Sequence, residues 1–258
     1  MVLGSLTILS SVSAVPIVDS FGVFKRDAYN QNTSGSTNAG SFSFFYAEVS
    51  GSNLDEFSTL EFTGGVEGTV PLTPAGRIAQ TTRTYFTPED RNTAYPTGNY
   101  TMTLDAESVT LTITEDTFPN VGEITGGTWD PNGDLLVTDS GYTFNFVTPV
   151  GVDLVRLSFY QRDGDYKQFY YEGDGSTTSF VVPDAELELG LQFGHGAALD
   201  FIKFTDTDTA FGGAAGYAGY MNRTSFEFEV VSAVPEPSTY ALLAGALALG
   251  VSFNRRRK

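Results

Sequence analysis

Period-two alternation governs almost the whole chain. From about Asp19 to Ala233, short runs place apolar residues at every second position and are separated by Gly, Asn, Asp and Pro. The run at 109–113 is the cleanest, with Val109, Leu111 and Ile113 on one face and Thr110 and Thr112 on the other. The stretches 41–49, 101–104, 142–147, 155–160, 180–182, 187–193, 199–204 and 226–230 repeat the pattern. Successive side chains of a strand point to opposite faces, so one apolar and one polar face per run specifies half-buried antiparallel strands. Before the C-terminal tail, no window of helical length carries an apolar stripe of period 3.6, which argues against a helical body. Turn chemistry agrees. Asp130, Pro131, Asn132 and Gly133 separate two strand-like runs, and glycines at 164, 173 and 175 supply the positive φ that tight connections need. Many short strands at regular spacing predict an all-β fold, an antiparallel β-sandwich.

The natural break lies near Asp105, Ala106 and Glu107, between two strand-like runs. It divides the body into a first sandwich-like module at 19–106 and a second at 107–232. The second, with Trp129 early and paired hairpins later, resembles an immunoglobulin-like or fibronectin-like sandwich, an analogy of fold that carries no function. One larger jelly-roll sandwich is the alternative. Two stretches read as loops: 29–40, which is polar and small, and 205–220, which is Gly- and Ala-rich with acidic and aromatic members.

Composition narrows the chemistry. The 258 residues contain no cysteine, which removes disulfides, thiolate metal sites and cysteine nucleophiles. One histidine, His195, stands between Gly194 and Gly196 and reads as a turn residue. No Gly-x-Ser-x-Gly elbow is present. The formal net charge of −17 opposes binding to nucleic acid. Thirty-one carboxylates raise the possibility of a secreted carboxylate-dependent hydrolase, but such a pair is defined by separation in space, and so many acids make chance pairs certain. Calcium is a weak alternative: Asp130, Asn132 and Asp134 offer oxygens at alternate positions, as an EF-type loop begins. Leu135 then stands where that loop needs Gly, and Gly141 where it needs a bidentate Glu. Tyr217 and Tyr220, with Phe169, Tyr170 and Tyr171 near a hairpin, would stack on sugar rings if exposed, as in a carbohydrate-binding module. Core packing or cross-strand pairing explains the same aromatics without a ligand. No catalytic residue and no cofactor is assigned.

The two ends are more specific. Residues 1–14 form a short apolar run closing on Val12 and Ala14, small residues at the minus-three and minus-one positions of a signal-peptidase site. The basic start of such a signal is missing, so it reads as a signal peptide truncated at its beginning. At the other end, Pro235, Glu236, Pro237 and Ser238 hold the backbone extended. Fourteen uncharged residues at 240–253 follow, a short hydrophobic helix, and then Arg255, Arg256, Arg257 and Lys258. The basic cluster should remain cytoplasmic, leaving everything before it outside.

This tail, 234–258, resembles the PEP-CTERM sorting signal of exported bacterial proteins. The resemblance implies recognition by an exosortase, a membrane-embedded cysteine protease-transpeptidase, cleavage near Pro235–Pro237, and a setting in exopolysaccharide and biofilm matrix. The expectation is an exported, non-catalytic, structural or adhesive protein of the cell surface or extracellular matrix, held transiently at the inner membrane by its tail. A carbohydrate-binding module and a secreted hydrolase are the alternatives. The charge is divided accordingly: residues 1–235 hold 30 acidic and 10 basic side chains, whereas the last 23 are net positive.

Overall fold

Among the described residues, strands form at each alternating run and also where the alternation fails; the run at 187–193 lies outside the described residues. The computed structural model describes residues 15–116, 118, 120–138, 141–160, 168–183, 196–208 and 210–231. One long sheet dominates. From edge to edge it runs β14 (Gln168–Asp174), β13 (Leu154–Tyr160), β16 (Gly196–Asp208), β17 (Ala215–Val231), β1 (Ile17–Thr33), β2 (Ser36–Ser52), β6 (Ile78–Tyr85) and β5 (Thr73–Ala75). Past the end of β1, the same edge of β17 is taken by β11 (Leu135–Thr138), which carries β10 (Thr128–Trp129). Neighbours are antiparallel except that β17 pairs in parallel with both β1 and β11.

Two smaller sheets cover one face of this long sheet. The first is β4 (Thr69–Pro71), β3 (Leu60–Thr63), β7 (Gly98–Leu104) and β8 (Glu107–Ile113); the second is β15 (Ser179–Val182), β12 (Tyr142–Val147) and β9 (Glu123–Ile124). Each encloses its own apolar core. In the first, Tyr95 lies flat on Phe45 with ring centroids 3.8 Å apart, and Phe62, Tyr100, Met102, Leu111 and Ile113 pack around them. In the second, Phe144 meets Phe159 edge-on at 5.8 Å, with Phe146, Leu157, Phe201 and Phe228 nearby. The all-β, antiparallel layered fold expected from the alternation is what forms. Asp105 and Ala106, where the sequence suggested a break, are the two-residue loop joining β7 to β8, and β1 lies hydrogen-bonded against β17.

The inner face between the two cores is polar. Asp27 of β1 accepts from Ser43 Oγ and from Arg91 Nη1, each at 2.6 Å. Arg91 also donates to the Arg26 carbonyl at 3.1 Å and lies 4.6 Å over the Phe118 ring. Lys25, fully buried, pairs with Asp116. Gln31 meets the backbone of Ile124 as another strand would, giving and accepting at 2.7 Å each. Helix α1 (Pro88–Ala94) brings Arg91 to this waist. Thr87 caps it by accepting from the Asp90 amide at 3.1 Å, and Pro88 starts it with φ already set.

Three local expectations change. Strand β1 escaped the alternation because Lys25 and Asp27 occupy inward positions while Phe24 points outward, so neither face is purely apolar. The 29–40 stretch, read as a surface loop, is the tip of the β1–β2 hairpin, turning at Gly35 with φ near 65°. The 205–220 stretch is mostly strand, with its connection confined to the residues between Asp208 and Ala215.

Removing one partner of a buried ion pair leaves the other charge uncompensated. Arg91→Ala is therefore expected to lower unfolding free energy by about 3–5 kcal/mol in urea titration. A loss below about 1 kcal/mol would mark the pair as no stronger than a solvated one.

Candidate functional site: the outward face of the long sheet

Both cores lie on one side of the long sheet, and among the described residues neither covering sheet lies on its other face. Even positions of β1 from Ser20 on, of β2, β13 and β14 and of β16 as far as Phe204, with odd positions of β17, point that way; a register shift after Phe204 turns Asp206 inward. The face is curled into a cleft of about 420 Å³. Tyr170 and Glu172 of β14 line the same cleft as Tyr46 and Glu48 of β2, although five strand intervals separate them. On a flat sheet that separation would be about 24 Å, so the sheet must fold round on itself.

A row of alternating charge crosses four adjacent strands in register: Glu172, Arg156, Asp200 and Arg223. Arg223 grips the fully buried Asp200 with two parallel hydrogen bonds, Nε to Oδ1 at 2.6 Å and Nη2 to Oδ2 at 2.7 Å. Arg156 reaches Glu172 Oε1 at 2.8 Å from Nε and 2.7 Å from Nη2, and lies 4.9 Å over the Tyr170 ring.

Beside this row stands a set of rings. Tyr217 stacks on Phe204 at 4.6 Å, Phe204 meets Phe24 at 6.4 Å, and Phe24 stacks on Tyr46 at 5.3 Å. Glycine makes this possible at two positions. Gly219 sits in register between Phe204 and Phe24, and at Gly22 a Cβ would fall 2.5 Å from the Phe24 ring. The floor is thus bare backbone with rings leaning over it. Glu48 completes the wall. Burial pushes its carboxyl above the ordinary carboxylate range, while Arg156, Arg223 and Arg26 pull it back. Burial likewise pushes the Tyr46 hydroxyl well up, and that hydroxyl lies 3.7 Å from Met221 Sδ.

The residues singled out from sequence separate sharply. Tyr217 lines the cleft. Tyr220 does not: three positions along the same strand it faces the opposite side, fully buried in the first core with its ring 4.8 Å from Phe118. It has no surface to offer a sugar. Tyr170 is outward and Tyr171 inward, while the Phe169 side chain is outside the described residues. Asp130 accepts from the Asn132 and Asp134 amides at 2.9 and 2.8 Å and from Asn132 Nδ2 at 2.8 Å. The Asp134 and Asn132 amides hold its carboxyl below the usual range. Asp130 and Asn132 thus serve their own turn, and among the described residues no three His, Cys, Asp or Glu gather as a metal group. His195, the tail triplet Pro235, Glu236 and Pro237, the segment 240–253 and the basic residues 255–258 lie outside the described residues, as do residues 1–14. Among the described residues no helix is long and apolar enough to cross a membrane.

Phe24, Tyr46, Glu48, Arg156 and Phe204 escaped sequence reading. The available signal was apolar or aromatic character on both faces of one strand, as at Phe44, Phe45 and Tyr46 and at Phe201, Ile202 and Phe204.

A carboxyl raised by burial keeps its proton more tightly in the folded chain than in the unfolded one. Its contribution therefore weakens stability as pH rises through and above the ordinary carboxylate range. Glu48→Gln is expected to raise Tm near pH 7 and to leave it almost unchanged near pH 4. An unchanged or lower Tm near pH 7 would mean that the three arginines outweigh burial.

Comparison with curated proteins returns no match to the chain. Comparison with protein families returns one at the C-terminal end, the PEP-CTERM protein-sorting motif, over residues 233–258. That span contains the Pro-Glu-Pro triplet, the apolar stretch and the basic cluster. The chain therefore carries the PEP-CTERM sorting motif, the signal of an exported protein that is sorted by an exosortase-type enzyme.

Proposed function

We propose that this protein is a non-catalytic component of the cell surface or extracellular matrix, structural or adhesive in role, delivered by its tail. The sorting motif at 233–258 carries the reading. As a helix, the 14 residues of 240–253 would span about 21 Å, short of the roughly 30 Å hydrocarbon core. Such a segment suits transient retention better than permanent anchoring, with Arg255, Arg256, Arg257 and Lys258 fixing its orientation. Pro235, Glu236 and Pro237, whose proline rings disfavour helix, would then offer the processing enzyme its cleavage region. The acidic body keeps the released protein soluble.

A second reading, a carbohydrate-binding module, is favoured by the position of Tyr217 in the cleft beside Phe204, Phe24 and Tyr46. Sugar rings present C–H faces to aromatic faces, and 420 Å³ lies within the size range of small-ligand sites. A hydrolase is less favoured. Of the three carboxylates lining the cleft, Asp19 pairs with Arg77 at 2.5 Å and Glu172 with Arg156 at 2.7 Å, which leaves Glu48 without an obvious catalytic carboxyl partner.

Replacing Pro235, Glu236 and Pro237 together by alanine is expected to leave the full-length chain in the membrane fraction of the producing cell. Fractionation and immunoblotting read the result. Normal trimming and release of that variant would overturn sorting through the triplet.

A further inference from the structure

The ring series of the cleft does not stop at Tyr46. The planar Arg26 guanidinium lies 5.7 Å over the Tyr46 ring and 4.3 Å over Phe44, bridging the two by cation–π contact. Phe44 meets Phe42 at 6.4 Å, and Phe42 meets Phe86 at 5.7 Å. From Tyr217 to Phe86 there is thus an unbroken line of planar groups that begins inside a cleft and ends on open surface. Its outer members are exposed: Phe42 at 42% and Phe86 at 81%. Exposed phenylalanines set side by side in a strongly acidic, exported chain are costly to solubility and add little to either core.

We propose that this line is the binding track for an extended, uncharged glycan chain, whose end enters the cleft at Tyr217 and whose body runs out over Phe44, Phe42 and Phe86. The proposal rests on the carbohydrate-binding reading and deepens it by assigning the length and charge of the ligand. Length follows from the track, because a mono- or disaccharide would fill the cleft and leave Phe42 and Phe86 unused. Charge follows from the surroundings. Arg156 and Arg223 are paired with Glu172 and Asp200, and residues 1–235 carry 30 acidic against 10 basic side chains, so a polyuronate is repelled. A chain of β-linked neutral hexopyranoses offers successive flat C–H faces to the rings and hydroxyls to Glu48 and Arg156.

Calorimetric titration of the purified full chain tests this with three probes: a β-1,4-glucan disaccharide, the corresponding hexasaccharide, and a hexagalacturonate. The hexasaccharide is expected to bind about tenfold or more tighter than the disaccharide, and the hexagalacturonate more weakly than the neutral hexamer. Tyr217→Ala should weaken both neutral probes. Phe86→Ala and Phe42→Ala, whose exposure protects folding, should each weaken the hexamer about three- to tenfold and leave the disaccharide unchanged. Equal binding of the two neutral probes, with Phe86→Ala silent, would overturn the track while leaving a sugar-binding cleft standing. No binding of any probe would overturn the carbohydrate reading together with the track. A wild-type dimer that Phe86→Ala dissociates would reassign the exposed rings to contact between copies of this chain.

Discussion

Strand β17 is the member on which the two halves of the body depend. Along one edge it pairs with β1 over residues 215–225 and then with β11 over 228–231, while β16 occupies the other edge. Its inward side chains change character along the way. Ala218 and Tyr220 enter the first core, Asn222 and Thr224 the polar waist, and Phe226 and Phe228 the second core. A slip of one residue would turn every one of them to the opposite face. The waist makes such a slip costly. Arg91 with Asp27, Lys25 with Asp116 and Thr224 with the Gly122 carbonyl at 2.6 Å find one another in a single register. Buried ion pairs add little net stability over apolar contacts, but any displaced register would strand their charges.

The outward face follows from the same arrangement. Two covering sheets on one side leave the other uncovered by them, and the curl that brings β14 near β2 turns it into a cleft. The charges that lie there fall into two kinds. Asp200 is fully buried and is matched by two short hydrogen bonds from Arg223, as a structural charge should be. Glu48 has arginines near it, yet among the described residues none closes a salt bridge on it, and burial prevails over their attraction. A carboxyl kept in such a position is a burden to the fold. Groups of that sort concentrate where a ligand is met.

The sequence made strands legible wherever one face was apolar and the other polar. Runs at 109–113, 142–147, 155–160, 199–204 and 226–230 all lie in strands. It concealed β1, where inward charges interrupt the apolar face, and the starts of β2 and β17, where Gly, Ala and Ser look like loop. In those places long-range pairing decides the conformation and local propensity does not. The cleft was less legible still. Its walls come from strands ordered β14, β13, β16, β17, β1 and β2, so residues from opposite ends of the chain meet there. Nothing in local spacing announces that Tyr217 and Glu48 share a wall. The distinction between Tyr217 and Tyr220, by contrast, needs only recognition that both lie on one strand, because an odd separation puts them on opposite faces. The sorting tail was legible in full, since its signal is linear: a triplet, an apolar stretch and a basic end in fixed order.

An exported chain without cysteine must hold itself together without disulfides, and this one divides its apolar burial in two. At 258 residues it is large enough to bury substantial apolar surface. Two covering sheets on a shared third layer produce two modest cores, and on that inner face the buried ion pairs gather at the waist between them. Because the waist and cores together specify the register, residues on the outward face are released from that duty. Gly22 and Gly219, weak strand formers, can then sit in central strands and leave room for the rings above them. Their tolerance there is a consequence of how thoroughly the other face is determined. The sorting motif at 233–258 follows in sequence after every residue that builds the two cores and the cleft.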